Sequence, residues 1–259
     1  MDVSSTTSLS NNSVNLNSNI TSLSSGSRIN SAANDTAGLA IADGMSAQVS
    51  GLGQAIQNSN NAIGMVQVAD GAIQEYTNIL KDVRELTLKA SNGIMNDNNR
   101  ANIQNEIDSL LESANNIINT TSYNGMDILN NNDTFSFQTG ANGGENIVIN
   151  FGDASSSLPS VDVSNPTNIA NSLDNIDSAL EAASSILSTL GAGQNALESN
   201  VKNISVSQVN IASAESQIRD LDFAQESADF NKNKILEIAG IFALSQKNIS
   251  QANILGLLK

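Results

Sequence analysis

The chain has 259 residues with 26 acidic and 11 basic side chains, a net charge of −15. That argues against nucleic acid and anionic membrane surfaces, because phosphate recognition needs clustered Lys and Arg. Cys and His are absent, Trp is absent and aromatic residues make up only 3%. Disulfides, thiolate metal sites and thiol catalysis are therefore excluded, and the side chains for a thick globular core are missing.

Residues 1–26 are mostly Ser, Asn and Thr, which oppose helix formation by bonding locally to the backbone. They contain no run long enough for a signal-peptide core or a membrane span, so any export is expected to proceed without the usual cleaved signal. Leu9, Leu16, Ile20 and Leu23 nevertheless fall at heptad spacing. The stretch "LSSGSRINSAANDTAGLAIADGM" at 23–45 then sets polar turn residues between two apolar-periodic segments. Ser24, Ser25, Ser27 and Asp35 could suggest a nucleophile with its helper, but a Ser nucleophile needs a base, most often His, and there is none. A joint over 27–40, ending in a helix cap, is the better reading. Its freedom is placed at Gly26 and Gly38, with Arg28 between them.

A long helix is predicted from Thr36 to Ala90. Met45, Leu52, Val66, Ile73 and Leu80 recur at sevens, partnered by Ala55, Ala62, Ala69, Tyr76, Val83 and Ala90. A second stripe, Met65, Ala72, Ile79 and Leu86, widens the face and implies more than one packing neighbour. "SNGIMNDNN" breaks the helix. Asp97 or Asn98 is expected to cap the next one, whose seam is Ile103, Ile107, Leu110, Ala114 and Ile117.

Over 134–151 the period changes to two: "TFSFQ" and "NIVINF" flank "TGANGGE", a β-hairpin with a glycine-rich loop. "GANGGE" lacks the Lys-Ser/Thr pair and the following helix of a phosphate loop, so its glycines read as turn residues. Residues 152–166 hold both prolines and little that could pack, a short crossing to the returning half.

The return helix, 167–218, carries Leu173, Ile176, Leu180, Ala183, Leu187 and Leu190. The same phase continues through Gln194, Leu197, Val201, Ile204, Gln208, Ile211, Glu215 and Ile218. That seam spans roughly 70 Å at 1.5 Å per residue, against a radius of gyration of about 18 Å for a compact globule of this length. The expected fold is mainly α, an elongated rod of long antiparallel coiled-coil-like helices with one small β-hairpin. The last segment places Ile235, Ile238, Phe242, Ile249 and Ala252 on one seam, with Leu257 near its end. Its phase requires a three-residue stammer between Gln208 and Ala224, with a joint near 218–222. An isolated amphipathic tail of this kind buries little surface and is expected to need neighbours to order it. Acidic pairs such as Asp220/Asp222 read as solvated charge. Sequons at Asn119–Thr121 and Asn203–Ser205 are expected by chance in so Asn- and Ser-rich a chain. No catalytic, metal or cofactor site is predicted, and the chain is not expected to be an enzyme.

"LSSGSRINSAANDTAGLAIADGM" closely resembles the N-terminal signature of bacterial flagellins. So do "LKDVRELTLKASNG" at 80–93 and "IQNEIDSLLESANNIINTTSYNGMDIL" at 103–129. The stretch from "NISVSQVNIASAESQIRDLDF" to the final Lys259 is similar to the family's C-terminal region. The resemblance implies an inner-layer (D0-like) segment at 1–26 and another at 219–259, which pair as an inner helical layer. It implies a spoke at 27–40 and a D1-like rod at 41–218, whose core would include Leu52, Val66, Ile73, Leu80, Ile107, Leu180, Leu187 and Ile204. Self-assembly would rest on Leu9, Leu16, Ile20, Leu23, Ile235, Ile238, Phe242, Ile249 and Leu257. The larger outer domains of the family would be replaced by the short crossing. The chain begins about three helical turns later, relative to "LSSG", than most members. Leu86 and Glu106 match the family's contacts with the vertebrate flagellin receptor. Asp82 stands where recognised members carry a basic residue, which argues against recognition.

The function implied is a secreted structural subunit that polymerises with itself into the bacterial flagellar filament for swimming motility. Its further partners would be the type III export apparatus, a chaperone, the filament cap and hook-associated proteins. The alternatives are a hook–filament junction protein of the same family and, from another class, a secreted coiled-coil adhesin.

Overall fold

The structure, a computed structural model, describes residues 3–257. In chain order it contains α1 (Val3–Ser25), α2 (Thr36–Ala90), α3 (Asp97–Thr120), β1 (Ser122–Tyr123), β2 (Met126–Asp127), β3 (Thr134–Gln138), β4 (Asn146–Asn150), α4 (Ile169–Arg219) and α5 (Phe223–Leu257). The strands form two separate antiparallel pairs, β1–β2 and β3–β4. The chain divides into a middle unit, Ser50–Gln208, and a unit of its two ends, Met1–Val49 with Val209–Lys259.

In the middle unit α2 buries two lines at intervals of seven. One runs through Leu52, Ser59, Val66, Ile73, Leu80 and Thr87, the other through Ala55, Ala62, Ala69, Tyr76, Val83 and Ala90. Ser59 and Thr87 are polar, yet neither hydroxyl is left unpaired. Each donates to the carbonyl one turn back, Ala55 O and Val83 O, both at 2.8 Å. α4 buries a matching line, Ile169, Ile176, Ala183, Leu190, Leu197 and Ile204. A repeat of seven keeps one seam facing its neighbours along a slightly underwound helix. Leu173, Leu180 and Leu187 flank that line and are half-buried.

α3 differs from expectation at both ends. Asn96, not Asp97 or Asn98, caps it by accepting from Asn99 N at 2.8 Å, while Asp97 is engaged with Arg100. Its buried line ends at Ile118, with Ile117 half-buried. The four-residue step from Ala114 to Ile118 is the one that follows the 3.6-residue turn.

β1 and β2 form a second hairpin absent from the sequence reading. Its turn residues are Asn124 (φ 52°) and Gly125 (φ 76°), the left-handed pair a two-residue hairpin favours. In β3–β4, Phe135 faces Ile149 and Phe137 faces Ile147. These four point to the core, and Phe135 meets Phe151 edge to face at 5.2 Å.

The crossing corrects the expectation that it holds little that packs. Ala154, Pro159, Val161 and Val163 are buried. Gln104 clamps it by donating to Val161 O (3.0 Å) and accepting from Val163 N (2.7 Å). Tyr76 donates its hydroxyl to Ser157 O at 3.0 Å. Side-chain-to-backbone bonds of this kind have no periodic signature.

Tyr76 supplies a pH prediction. Burial pushes its phenol from 10.0 up to about 12, so the native state holds a proton that the unfolded chain releases. Its contribution is complete below pH 10 and is lost as pH rises through 12, a penalty on the order of 2–3 kcal/mol. Tyr76→Phe should lower stability at neutral pH by about 1 kcal/mol through the lost hydrogen bond. It should also show a shallower alkaline decline than the parent. Urea unfolding across that range checks both, and parallel alkaline slopes would contradict the assignment.

Candidate assembly interface

The unit of the two ends is built around a paired turn. Gly26 ends α1 with φ +70°, its amide donating to Ser22 O at 2.9 Å, the left-handed glycine ending that helices favour. The following residues run antiparallel to the break after α4. Ser27 pairs with Asp220, Arg28 N donates to Arg219 O (2.7 Å), and Leu221 N donates to Gly26 O (3.1 Å). The Arg28 guanidinium donates to Ile218 O at 2.6 Å, satisfying a carbonyl that α4 leaves without an intrahelical partner. Two carboxylates cap the outgoing helices. Asp35 accepts from Gly38 N at 2.9 Å to start α2. Asp222 accepts from Ala224 N and Gln225 N at 3.0 and 3.1 Å to start α5. Arg219 lies 3.4 Å from Asp43 and 3.7 Å from Glu215, partly exposed ion pairs of small worth.

The change of phase after Ile204 coincides with the break between α4 and α5, at residues 220–222, within the stretch where the joint is expected. Gly38 differs from expectation. It lies inside α2, and its need is room: an added Cβ would come 2.8 Å from Ile29 Cδ1 as well as against the Asp35 carboxylate. Of the two joint glycines, Gly26 alone has the left-handed backbone. If the chain serves the motility that the resemblance implies, Gly26→Val should distort filament waveform or swimming, since a β-branched residue at that φ costs about 1–2 kcal/mol or shifts the turn. Ser24→Ala and Ser25→Ala should swim normally. Failure of the serine variants beside a normal Gly26→Val would refute this account of the joint.

α1 forms in spite of its Ser and Asn content because α5 packs along it. Asn12 donates to Asn233 O at 2.7 Å, and local propensity yields to the tertiary partner. A groove of about 420 Å³ between them is lined by Leu9, Asn12, Leu236, Gly240, Leu244 and Lys247, among others. Gly240 marks close approach: a Cβ there would stand 3.2 Å from Leu9 Cδ1. This is the pairing of the two end segments that the resemblance implies, and it is already present within a single chain, so the C-terminal segment does not depend on neighbouring copies for its first helical partner.

The seam read from the sequence is, however, not the face turned to α1. Ile235, Ile238, Phe242 and Ile249 are 67%, 62%, 72% and 52% exposed. At about 100° per residue Ile235, Ile238 and Phe242 lie opposite Leu236, Gly240 and Leu244, while Ile249 borders a groove shared with Leu9, Ile241 and Leu244. α5 carries two apolar faces, one against α1 and one uncovered. A contiguous uncovered apolar face marks an interaction surface. On α1, Leu9, Leu16 and Leu23 are half-buried and Ile20 is 48% exposed. The side chain of Leu257 lies outside the described residues. The α1-facing stripe was not singled out in the sequence reading; its signal is the four-residue step Leu236, Gly240, Leu244.

In the middle unit, Leu52, Val66, Ile73, Leu80, Ile107 and Ile204 are buried. Leu86 is half-buried against the core, and Asp82 and Glu106 are exposed. Among the described residues no three His, Cys, Asp or Glu side chains gather as metal ligands. No described helix is long and apolar enough to cross a membrane.

Long heptad helices and termini that pair across a capped joint define a mainly α structural protein. Residues 1–134 match the model of the bacterial flagellin N-terminal helical region, and residues 173–258 match that of the bacterial flagellin C-terminal helical region. The chain belongs to the bacterial flagellin family, and it is a structural subunit of the flagellar filament. It is 39% identical to a flagellin of Halalkalibacterium halodurans, covering 92% of this chain and 89% of that protein. It is 34% identical to the flagellar filament 30.7 kDa core protein of Treponema maltophilum, covering 93% and 91%. The crystal structure of Bacillus cereus flagellin shares the fold, with a TM-score of 0.54 at 21% identity over 61% of this chain and 94% of that one.

Proposed function

We propose that the subunit is secreted and polymerises with further copies of itself through its two ends, forming an extracellular filament that drives swimming. Residues 1–26 and 219–259 form the inner layer, 27–40 the joint, and 41–218 the body of the subunit. The observation that carries this reading is the uncovered face of α5, with Phe242 72% exposed at its centre. A surface of this kind on a helix already held by α1 is suited to a neighbouring copy. Repeated head to tail with a rotation that does not close, such a contact produces an open helical filament. Delivery would involve the flagellar export apparatus and a chaperone, with the filament cap and hook-associated proteins bounding the polymer. Antibody labelling of isolated flagella under the electron microscope tests the proposal. Label along the whole filament length is expected. Label confined to the filament base would assign the chain to the hook junction instead, and a secreted monomer that never polymerises would overturn the proposal.

A further inference from the structure

Asn is followed by Gly at three places: Asn92–Gly93, Asn124–Gly125 and Asn142–Gly143. Such pairs are chemically labile, because the glycine amide nitrogen can attack the asparagine side-chain carbon unhindered by a Cβ. Attack also needs that nitrogen free of hydrogen bonds and a backbone able to rotate toward Cγ. Among the described residues none of the three glycine amides makes a hydrogen bond and each meets open space, so the pairs differ in the second requirement, the freedom of the asparagine and its backbone to rotate.

Asn124 and Gly125 are the left-handed centre of the β1–β2 turn, with φ 52° and 76°. Rotation there would undo the Tyr123–Met126 pairing next to Ile128 and Leu129, both 0% exposed. Asn142 is tied down by Glu145. Its backbone N and its Nδ2 donate to the two carboxylate oxygens at 3.0 and 2.9 Å, and its carbonyl accepts from Gln138 Nε2 at 2.6 Å. A carboxylate on the amide NH₂ also pushes electron density toward the carbon that must be attacked.

Asn92 has the opposite environment. It is exposed in the turn after α2, where its own backbone makes only two turn bonds, to Lys89 O at 3.3 Å and from Met95 N at 3.0 Å. The Ile94 amide donates to Asn92 Oδ1 at 3.3 Å, polarising the carbonyl in the direction that helps attack. The Gly93 amide makes no hydrogen bond among the described residues. No atom lies within 4 Å of where a Gly93 Cβ would stand.

We propose that Asn92 is a site of spontaneous deamidation in the folded subunit, with water as co-reactant, and that Asn124 and Asn142 are protected by the fold. Gly93 N gives up its proton to solvent base and bonds to Asn92 Cγ. The Cγ–Nδ2 bond then breaks, and ammonia leaves carrying a proton from solvent. Water opens the resulting succinimide at Cγ to give aspartate, or at the backbone carbonyl carbon to give isoaspartate. No electrons are gained or lost. Either product adds a negative charge just beyond Lys89, at the C-terminal end of α2, where the helix dipole disfavours it. Isoaspartate also lengthens the α2–α3 turn by one backbone carbon.

The test is a time course of the purified full chain in mildly alkaline buffer, read by peptide mass spectrometry at all three sites. A parallel sample is held unfolded in urea. In the folded chain Asn92 should convert at least about tenfold faster than either other site, and in urea the three rates should converge. Gly93→Ala should slow conversion at Asn92 about tenfold, and its melting curve should match the parent because the added methyl meets open space. Glu145→Ala should speed conversion at Asn142 alone. Equal folded rates, or a lead by Asn124 or Asn142, would overturn the proposal.

Discussion

Removal of residues 236–259 is expected to abolish filament formation while the Ser50–Gln208 unit stays folded. The deletion takes away most of both apolar faces of α5: Leu236, Gly240 and Leu244 against α1, Ile238 and Phe242 on the uncovered side, and Ile249 at the edge between them. It takes nothing from the middle core, whose buried residues run from Ala62 to Leu197. Circular dichroism should still report the helices of that unit, and their thermal transition should keep its midpoint. Sedimentation under polymerising conditions should find monomer only. Variants confined to the uncovered face sharpen the test. Phe242→Ser should leave the α1–α5 pairing intact, since that face does not meet α1, and still prevent assembly. Normal filaments from the truncated chain would remove the ends from the assembly mechanism.

The two faces of α5 also mark where sequence reasoning reached its limit. The heptad lines of α2 and α4 were legible because their cores repeat at seven over many turns, so Val66, Ile73, Leu80 and Ile204 stand out. The bounds of α2, Thr36 and Ala90, follow from a capping Asp35 and a Gly93-containing turn. In α5 the conspicuous Ile and Phe residues mark the uncovered face, while the intrachain contact uses Leu236, Gly240 and Leu244 in a line of small and medium side chains. Glycine at a close approach carries no hydrophobic signal. The crossing was illegible for a different reason. Its anchors are Gln104 and Tyr76 on distant helices, and neither their distance in sequence nor their chemistry forms a pattern. In α1 two signals oppose each other, Ser and Asn propensities against a helix and the heptad Leu9, Leu16 and Leu23 for one, and the α5 helix packed along it decides for the helix. The Asn124–Gly125 turn is the one miss with a plain local signal.

Ile204→Asp should destabilise the middle unit by about 3 kcal/mol or more, and Asn203→Asp should change it by less than about 0.5 kcal/mol. The two positions are neighbours in sequence on opposite terms with solvent. Ile204 is 8% exposed on the buried line of α4, and Asn203 is exposed. The substitution loses the burial of a branched aliphatic side chain and places a carboxylate on the buried line of α4. Burial then raises the pKa of the new carboxylate in the folded state above its unfolded value. The native state of the variant therefore binds a proton more readily than the unfolded chain, and the penalty shrinks as pH falls through the raised value. The net charge of −15 alters the acid response of every variant, so the diagnostic quantity is the difference between the two substitutions. That difference should be large at neutral pH and narrow in acid. Thermal melts of both variants at neutral and acidic pH measure it. A difference that is absent at neutral pH would refute the register of α4, and one that fails to narrow in acid would refute burial of the introduced charge.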